Sequence, residues 1–332
     1  MHSTLSIPKD RRLIAGVGSA LIDLLIHEKD AFVAQSGVPK GGMALVDYDH
    51  IQKMLDRTTA QPAIVTGGSA CNTAVGVAKL GGLARFVGKC GQDDMGDRYA
   101  ADLKRCGVDP CLFTSSTPTG RVLSMITPDA QRSMLTYLGA SSEMAPQEII
   151  PQCFAKAAVV HIEGYLLFNP DLMQAVLAAA RTAGSLTSLD LASFTVVEAN
   201  KAHVMRIVEE YVDILIANQD EARAFTGLSD EQQAIKALAA KAPLAVLKVG
   251  PKGSYIAHAG QIIPVAPVKG GVVVDTTGAG DLWAAGFLYG MVNNLSLETC
   301  GALGSACGME VCQVVGASIP EVGWERIKSF QP

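Results

Sequence analysis

The chain has 332 residues, 49% of them hydrophobic and 18% charged, and acidic residues outnumber basic ones 32 to 27 for a net charge of −5. That much apolar material supports a large buried core and excludes intrinsic disorder, while an acidic balance with no basic run excludes an ordinary nucleic-acid binder. No apolar stretch approaches a membrane span and the first ten residues lack the apolar segment of a secretory signal, so a cytoplasmic chain with reduced cysteines is expected.

An apolar run at 13–18, ending in glycines, reads as a buried first strand. A second extended piece at 21–26 carries one carboxylate, Asp23. A Gly/Pro turn cluster at 37–42 follows, then a helical spacing at 48–57. Residues 63–68 read as a strand running into a glycine turn, and 70–80 as a helix of small apolar residues stopped by two glycines. A strand at 85–88 and an amphipathic helix at 94–106 come next. Residues 111–138 change texture, with alternating apolar and polar residues and no helical period, as in a half-exposed antiparallel hairpin.

From residue 157 strands and helices alternate. Strands are expected at 158–162, 186–189, 214–217, 245–249 and 255–257, and helices near 171–183, 198–210, 219–226, 230–241, 281–293 and 296–314. Such alternation implies an α/β fold in which a mainly parallel central sheet is covered by helices on both faces. The expectation is one domain over 1–332, with a small β-rich lid inserted from about 20–48 and 111–138.

Four segments carry chemistry. In Asp275-Thr276-Thr277-Gly278-Ala279-Gly280-Asp281, small residues precede an apolar helix. The N–H groups of Gly278, Ala279 and Gly280 would point outward as an anion site. Asp281 reads either as a favourable acidic residue in a first helical turn or as a general base beside that anion site. Gly67-Gly68-Ser69-Ala70-Cys71-Asn72 is either a strand–helix turn with Ser69 as its cap, or backbone contact to a polar ligand aided by the Asn72 amide. Asn218 and Glu221 follow a strand at the end where open α/β sheets bind ligands, and equally form an ordinary helix cap. Lys248-Val249-Gly250-Pro251-Lys252-Gly253 is a glycine turn that hairpin chemistry alone explains.

The absences narrow the field. There is no Walker A loop, no G-x-S-x-G elbow, and no metal spacing among the six histidines and eight cysteines. The glycines at 16–18 lack the third member of a dinucleotide fingerprint, which disfavours a nicotinamide-dependent oxidoreductase.

These segments, in this order, resemble the ribokinase-like (PfkB) family of sugar and nucleoside kinases over nearly the whole chain. The resemblance implies a three-layer α/β/α core with a β lid, and transfer of the γ-phosphate of ATP, with Mg²⁺, to an alcohol. By it Asp281 is the catalytic base, and Gly278, Ala279 and Gly280 form the anion hole. Asp23, Gly67, Gly68 and Asn72 hold the acceptor. Asn218 and Glu221 organise Mg²⁺ and phosphates through water. Asp275 and the Thr277 carbonyl mark a place for a monovalent cation such as K⁺. Gly250 and Gly253 keep the register of the family's T-x-G-x-x-G nucleotide turn, with Lys248 in place of threonine. The segment from Gln131 to Ala140 looks like the adenosine-kinase branch, where an arginine, here Arg132, reaches the transferred phosphate. Phe168 or Tyr165 would stack a purine. The resemblance therefore favours a nucleoside, adenosine first, over a sugar such as ribose or fructose. A ligand-binding protein that kept the fold and lost the chemistry is the non-enzyme alternative. The lid strands leave both a monomer and a homodimer through the lid open.

Overall fold

The computed structural model describes residue 7 and residues 10–129 and 131–329. Among these, fourteen strands form two sheets. In chain order they are β1 (Leu13–Val17), β2 (Leu21–His27), β3 (Met43–Leu45), β4 (Ala63–Gly67), β5 (Leu83–Gly91), β6 (Val108–Ser115), β7 (Gly120–Ile126), β8 (Arg132–Tyr137), β9 (Ala157–Glu163), β10 (Leu186–Asp190), β11 (Ile214–Asn218), β12 (Leu244–Lys248), β13 (Ser254–His258) and β14 (Gln261–Val265). The large sheet runs β14-β13-β12-β11-β10-β9-β1-β5-β6, and the small one β3-β8-β7-β2-β4.

From β12 across to β6 the large sheet is parallel, and β13 and β14 close one edge as antiparallel hairpins. Strand alternation shows why both faces need cover. On β11, Ile214 and Ile216 enter one apolar core while Leu215 and Ala217 enter the other. On β12, Leu244 and Val246 oppose Ala245 and Leu247 in the same way. Two fully apolar faces require a helical layer on each side, which is the three-layer α/β/α arrangement.

The small sheet holds most of the segments expected to form the lid, and is called the lid below. Its inner apolar face, with Ile22, Leu24, Ile26, Leu123, Met125 and Leu135, continues into the first core and packs with Ile51 and Met54. Its other face is set by register. Asp23 pairs with Val122, Val122 with Thr136, and Thr136 with Leu45. One row further along lie Leu25, Ser124, Met134 and Met43, and then Ile126 beside Arg132. Paired residues share a face, so Asp23, Arg132, Met134, Met43 and Leu45 line the same side of the lid.

Two strands exchange sheets relative to the sequence reading. β4 pairs antiparallel with β2 and belongs to the lid, although 63–67 reads like any other short core strand. β6 lies parallel to β5 at the edge of the large sheet, so 111–115 is core and not lid. An edge strand of the core is half exposed, and its alternation is indistinguishable from that of a lid hairpin. The helix expected over 198–210 is two, Phe194–Ala199 and Lys201–Tyr211, and the helix expected to run to 314 ends at Val311. β14 has no counterpart in the sequence reading. All eight cysteines are free, and Cys71 is fully buried in the core. Among the described residues no helix is long and apolar enough to cross a membrane.

Candidate active site

The parallel strands end along one edge of the large sheet, and four of them close on polar residues: Glu163 on β9, Asp190 on β10, Asn218 on β11 and Lys248 on β12. This is the edge where an open α/β sheet offers a crevice to ligands. Two helices begin there, Ser69–Lys79 and Ala279–Val292.

Asp281 lies in the first turn of the second of these helices. Its Oδ1 accepts a hydrogen bond from Ser69 Oγ at 2.7 Å, and its Oδ2 accepts from Asn72 Nδ2 at 2.9 Å. Its main-chain carbonyl accepts from Thr73 Oγ1 at 3.1 Å. The start of one helix thus grips the start of the other. Burial pushes the Asp281 carboxyl up to about 6, against the lowering effect of Asn72 and Ser69, with the Asp190 charge adding to the rise. A carboxylate held in two fixed hydrogen bonds with a pKa just below neutrality is equipped to accept a proton.

The turn before it departs from the sequence reading in one respect. The N–H of Ala279 donates to the Thr276 carbonyl at 3.1 Å, so it does not face outward. The N–H groups of Gly278, Gly280 and Asp281 make no hydrogen bond among the described residues, and those of Gly280 and Asp281 keep the anion-binding character of a helix start. Gly278 has φ of 74°, and a Cβ there would lie 2.7 Å from that of Ala317, so the turn admits only glycine.

Ser69 is not the helix cap that the sequence suggested. The cap position is Gly68 at φ of 104°, with no side-chain cap, and the Ser69 hydroxyl is spent on Asp281 instead. Gly67 packs against Asp23, where a Cβ would stand 2.7 Å from Oδ2. The Cys71 thiol is fully buried, and burial pushes it up to about 12.

Arg132 crosses from the lid to the core. Its guanidinium donates to Ser124 Oγ at 2.7 and 3.0 Å and to Thr277 Oγ1 at 2.6 Å. It lies 3.7 Å from Asp23 and 4.0 Å from Asp275. Burial raises the Asp23 carboxyl, and the Arg132 charge opposes that rise. Asp275 accepts from the Gly316 N–H at 2.8 Å and from the N–H and hydroxyl of Thr277 at 2.9 and 2.8 Å. Burial opposes its ionisation, but these bonds and Arg132 hold it below the usual carboxylate range. The groups expected for the acceptor, the phosphate and a cation therefore meet at one lid–core junction.

Asn218 and Glu221 close a capping box. The Asn218 N–H and amide donate to the two Glu221 carboxylate oxygens at 2.8 and 2.6 Å, and Asn218 Oδ1 accepts from the Glu221 N–H at 2.9 Å. Burial pushes Glu221 up to about 7, with the Asp190 charge raising it further. Gly250 and Gly253 bracket the tight turn after β12, with φ of 55° and 100°. Lys248 does not extend along that turn. Its Nζ pairs with Asp190 Oδ2 at 2.8 Å.

Three functional candidates escaped the sequence reading. Glu163, 1% exposed, accepts from the Ser19 N–H at 2.8 Å and the Ala70 N–H at 3.1 Å. It ties the turn that leads to Asp23 to the helix that carries Asn72. Burial pushes its carboxyl up to about 7. Asp190 is the second and Ser69 the third. The one local signal for the two acids is a carboxylate closing a strand. On the turn after β9, Tyr165 and Phe168 are 42% and 61% exposed. Burial and the charges of Glu163, Asp281, Glu221 and Asp190 push the Tyr165 hydroxyl up to about 12.

Residues 38–322 match the pfkB family of carbohydrate kinases. The crystal structure of the adenosine kinase from Sinorhizobium meliloti is 31% identical, with a TM-score of 0.86 over 96% of this chain and 99% of that one. A probable sugar kinase from Rhizobium etli CFN 42 is 33% identical, with a TM-score of 0.88 over 96% and 98%. The 5-dehydro-2-deoxygluconokinase of Bacillus licheniformis is 29% identical over 80% of this chain and 86% of its own length.

Proposed function

The chain belongs to the pfkB family of carbohydrate kinases and is a phosphotransferase with an alcohol acceptor, and within that family we propose that it phosphorylates the primary 5′-hydroxyl of a nucleoside, adenosine first, from ATP. The observation that carries the chemistry is Asp281, held by Ser69 and Asn72 at a helix start whose Gly280 and Asp281 N–H groups are unspent. Asp281 takes the hydroxyl proton as the acceptor oxygen attacks the γ-phosphorus. The bond from that phosphorus to the β–γ bridging oxygen breaks, and ADP leaves with the bridging oxygen. The two N–H groups face the charge that builds on the transferred phosphoryl group.

Asp23 fits the ring hydroxyls of the acceptor, beside Gly67, Gly68 and Asn72. Arg132, a planar fork fixed by Ser124 and Thr277, covers the same space from the lid and is placed to meet phosphate oxygens. Mg²⁺ bound with ATP would neutralise phosphate charge. Among the described residues no group of three or more His, Cys, Asp or Glu side chains is arranged to hold a metal. Both Glu221 oxygens already accept from Asn218, so these two residues fit the ion through water. Asp275 and the Thr277 carbonyl are the groups a potassium ion would use, and Arg132 already brings a positive charge beside them.

The lid favours the nucleoside. The face that carries Asp23 has Leu45, Met134 and Met43 at its far side, with Leu45 65% and Met43 50% exposed. Three strand spacings separate Asp23 from Leu45, about 14 Å. Exposed apolar side chains at that distance from Asp23, together with the exposed Tyr165 and Phe168 rings on the turn after β9, suit an acceptor with a flat base attached to its sugar. A sugar or sugar acid is the competing acceptor, in line with the sugar-kinase relatives. Incubation with MgATP and a panel of adenosine, other nucleosides, ribose, fructose and 5-dehydro-2-deoxygluconate tests the assignment by ADP release. Turnover of adenosine at least tenfold above every sugar supports it. Turnover of a sugar alone replaces the nucleoside with that sugar. Nucleoside binding without ADP release from any acceptor refutes the enzyme.

A further inference from the structure

Lys248 ends β12 beside Asn218, its registered partner on β11. Its Nζ lies 2.8 Å from Asp190 Oδ2, and the side chains are only 12% and 7% exposed. A buried pair of this kind is a poor device for stability, because apolar residues of similar volume serve as well or better. Its surroundings point to chemistry. A Cβ built on Gly280 would lie 3.0 Å from Lys248 Nζ, so the ammonium sits against the backbone of the turn that carries the unspent N–H groups. Three carboxylates from three elements share its field: Asp190, Glu221 and Asp281. His161, buried against Ser188 and Thr73, is held neutral at about 4 by burial and adds no charge. Lys248 is thus a cation packed against an anion-binding turn, and before any phosphate arrives the acids around it outnumber it.

We propose that Lys248 is a further catalytic residue, whose ammonium leaves Asp190 to hydrogen-bond a β- or γ-phosphate oxygen of the bound nucleotide during transfer, while Asp190 holds it in place between turnovers. The proposal rests on the kinase reading above. Lys248 stays protonated throughout; the hydroxyl proton goes to Asp281, and the bonds made and broken at phosphorus are those already described. A fixed cation at this point offsets the growing negative charge on the bridging oxygen, which a neutral side chain does not.

The test uses the full chain and two readouts. One is calorimetric titration with the Mg²⁺ complex of the β,γ-imido analogue of ATP. The other is steady-state kinetics on the acceptor that the wild type turns over. Lys248→Met is expected to weaken analogue binding at least tenfold and lower kcat at least 10²-fold, with the acceptor KM within threefold of wild type. Lys248→Arg is expected to retain most of the analogue affinity. The double variant Lys248→Met with Asp190→Leu removes the buried pair without stranding a charge. It is expected to melt near the wild-type temperature and to remain as impaired as Lys248→Met. Recovery of wild-type kcat and affinity in the double variant overturns the proposal and makes the pair structural. Unchanged kinetics in Lys248→Met overturn it as well. Failure of the kinase reading shows separately, as a wild type with no turnover on any acceptor. In that case analogue binding that depends on Lys248 still supports the phosphate contact, and binding that ignores Lys248, or no binding at all, overturns it.

Discussion

Replacing Asp281 with asparagine keeps the shape of the side chain and removes its ability to take a proton. The asparagine carbonyl can still accept from Asn72, and the Ser69 hydroxyl can rotate to accept from the new amide, so both contacts at 2.7 and 2.9 Å have a neutral counterpart. The fold and the acceptor KM should therefore hold within a few-fold. A general base contributes about 10²- to 10⁴-fold to rate, roughly 3–5 kcal/mol of activation free energy, and kcat should fall by at least the lower figure. The wild type should show an acid limb set by the carboxyl at about 6. On that value kcat/KM drops about tenfold between pH 7 and pH 5, and this limb is absent from the residual activity of the variant. Stability runs the other way. The folded carboxyl ionises near 6 and the unfolded one near 3.8. Between those values the folded chain binds the extra proton, so stability falls as pH rises through that window. The ionised Asp281 is a net burden at pH 7.5, and Asp281→Asn should melt no lower than wild type there. Coupled ADP-release kinetics from pH 5 to 8, with thermal melts at both ends, measure all of this. Turnover within threefold of wild type, or a variant that keeps the acid limb, refutes the base assignment.

Other expectations follow from single contacts. Asp23→Asn should raise the acceptor KM about tenfold or more while the ATP KM stays put, since hydrogen bonds to a charged group are worth about 1.5–3 kcal/mol; initial rates with each substrate varied in turn decide it. Arg132→Lys cannot span Ser124 and Thr277 together, and kcat/KM should fall by roughly 10- to 100-fold in steady-state assays. Gly278→Ala forces a side chain into left-handed backbone against Ala317, a strain of about 1–3 kcal/mol, visible as a lower melting temperature together with lost turnover. Glu163→Gln keeps one acceptor oxygen for the two N–H groups of Ser19 and Ala70, so it should weaken acceptor binding several-fold more than nucleotide binding, as calorimetry with each would show.

Local chemistry made much of this molecule legible. The turn from Asp275 to Asp281, the glycines at 67–68 and the Asn218–Glu221 cap are short segments whose dihedrals and helix starts depend on neighbours in sequence. The strand–helix alternation after residue 157 likewise followed from apolar periods that each element carries within itself. What the sequence left open involves distance. Ser69 looked like a cap because a serine at a helix start usually is one; only a second helix start brought alongside gives its hydroxyl a carboxylate 212 positions away. Glu163, Asp190 and Lys248 each end a short strand, and nothing local tells a strand-terminal charge facing solvent from one facing its neighbours. Parallel stacking of β9, β10, β11 and β12 decides that, by bringing their last residues to one edge. The lid obeys the same logic: a five-residue apolar strand suits either sheet, and antiparallel pairing with β2 is what places β4 beside Asp23. The sequence thus determined which residues could do chemistry and which backbone turns could bind an anion. The tertiary structure determined their partners, because hydrogen bonding and desolvation depend on separation in space, and burial by distant elements is what lifts Asp281 to where a base is useful.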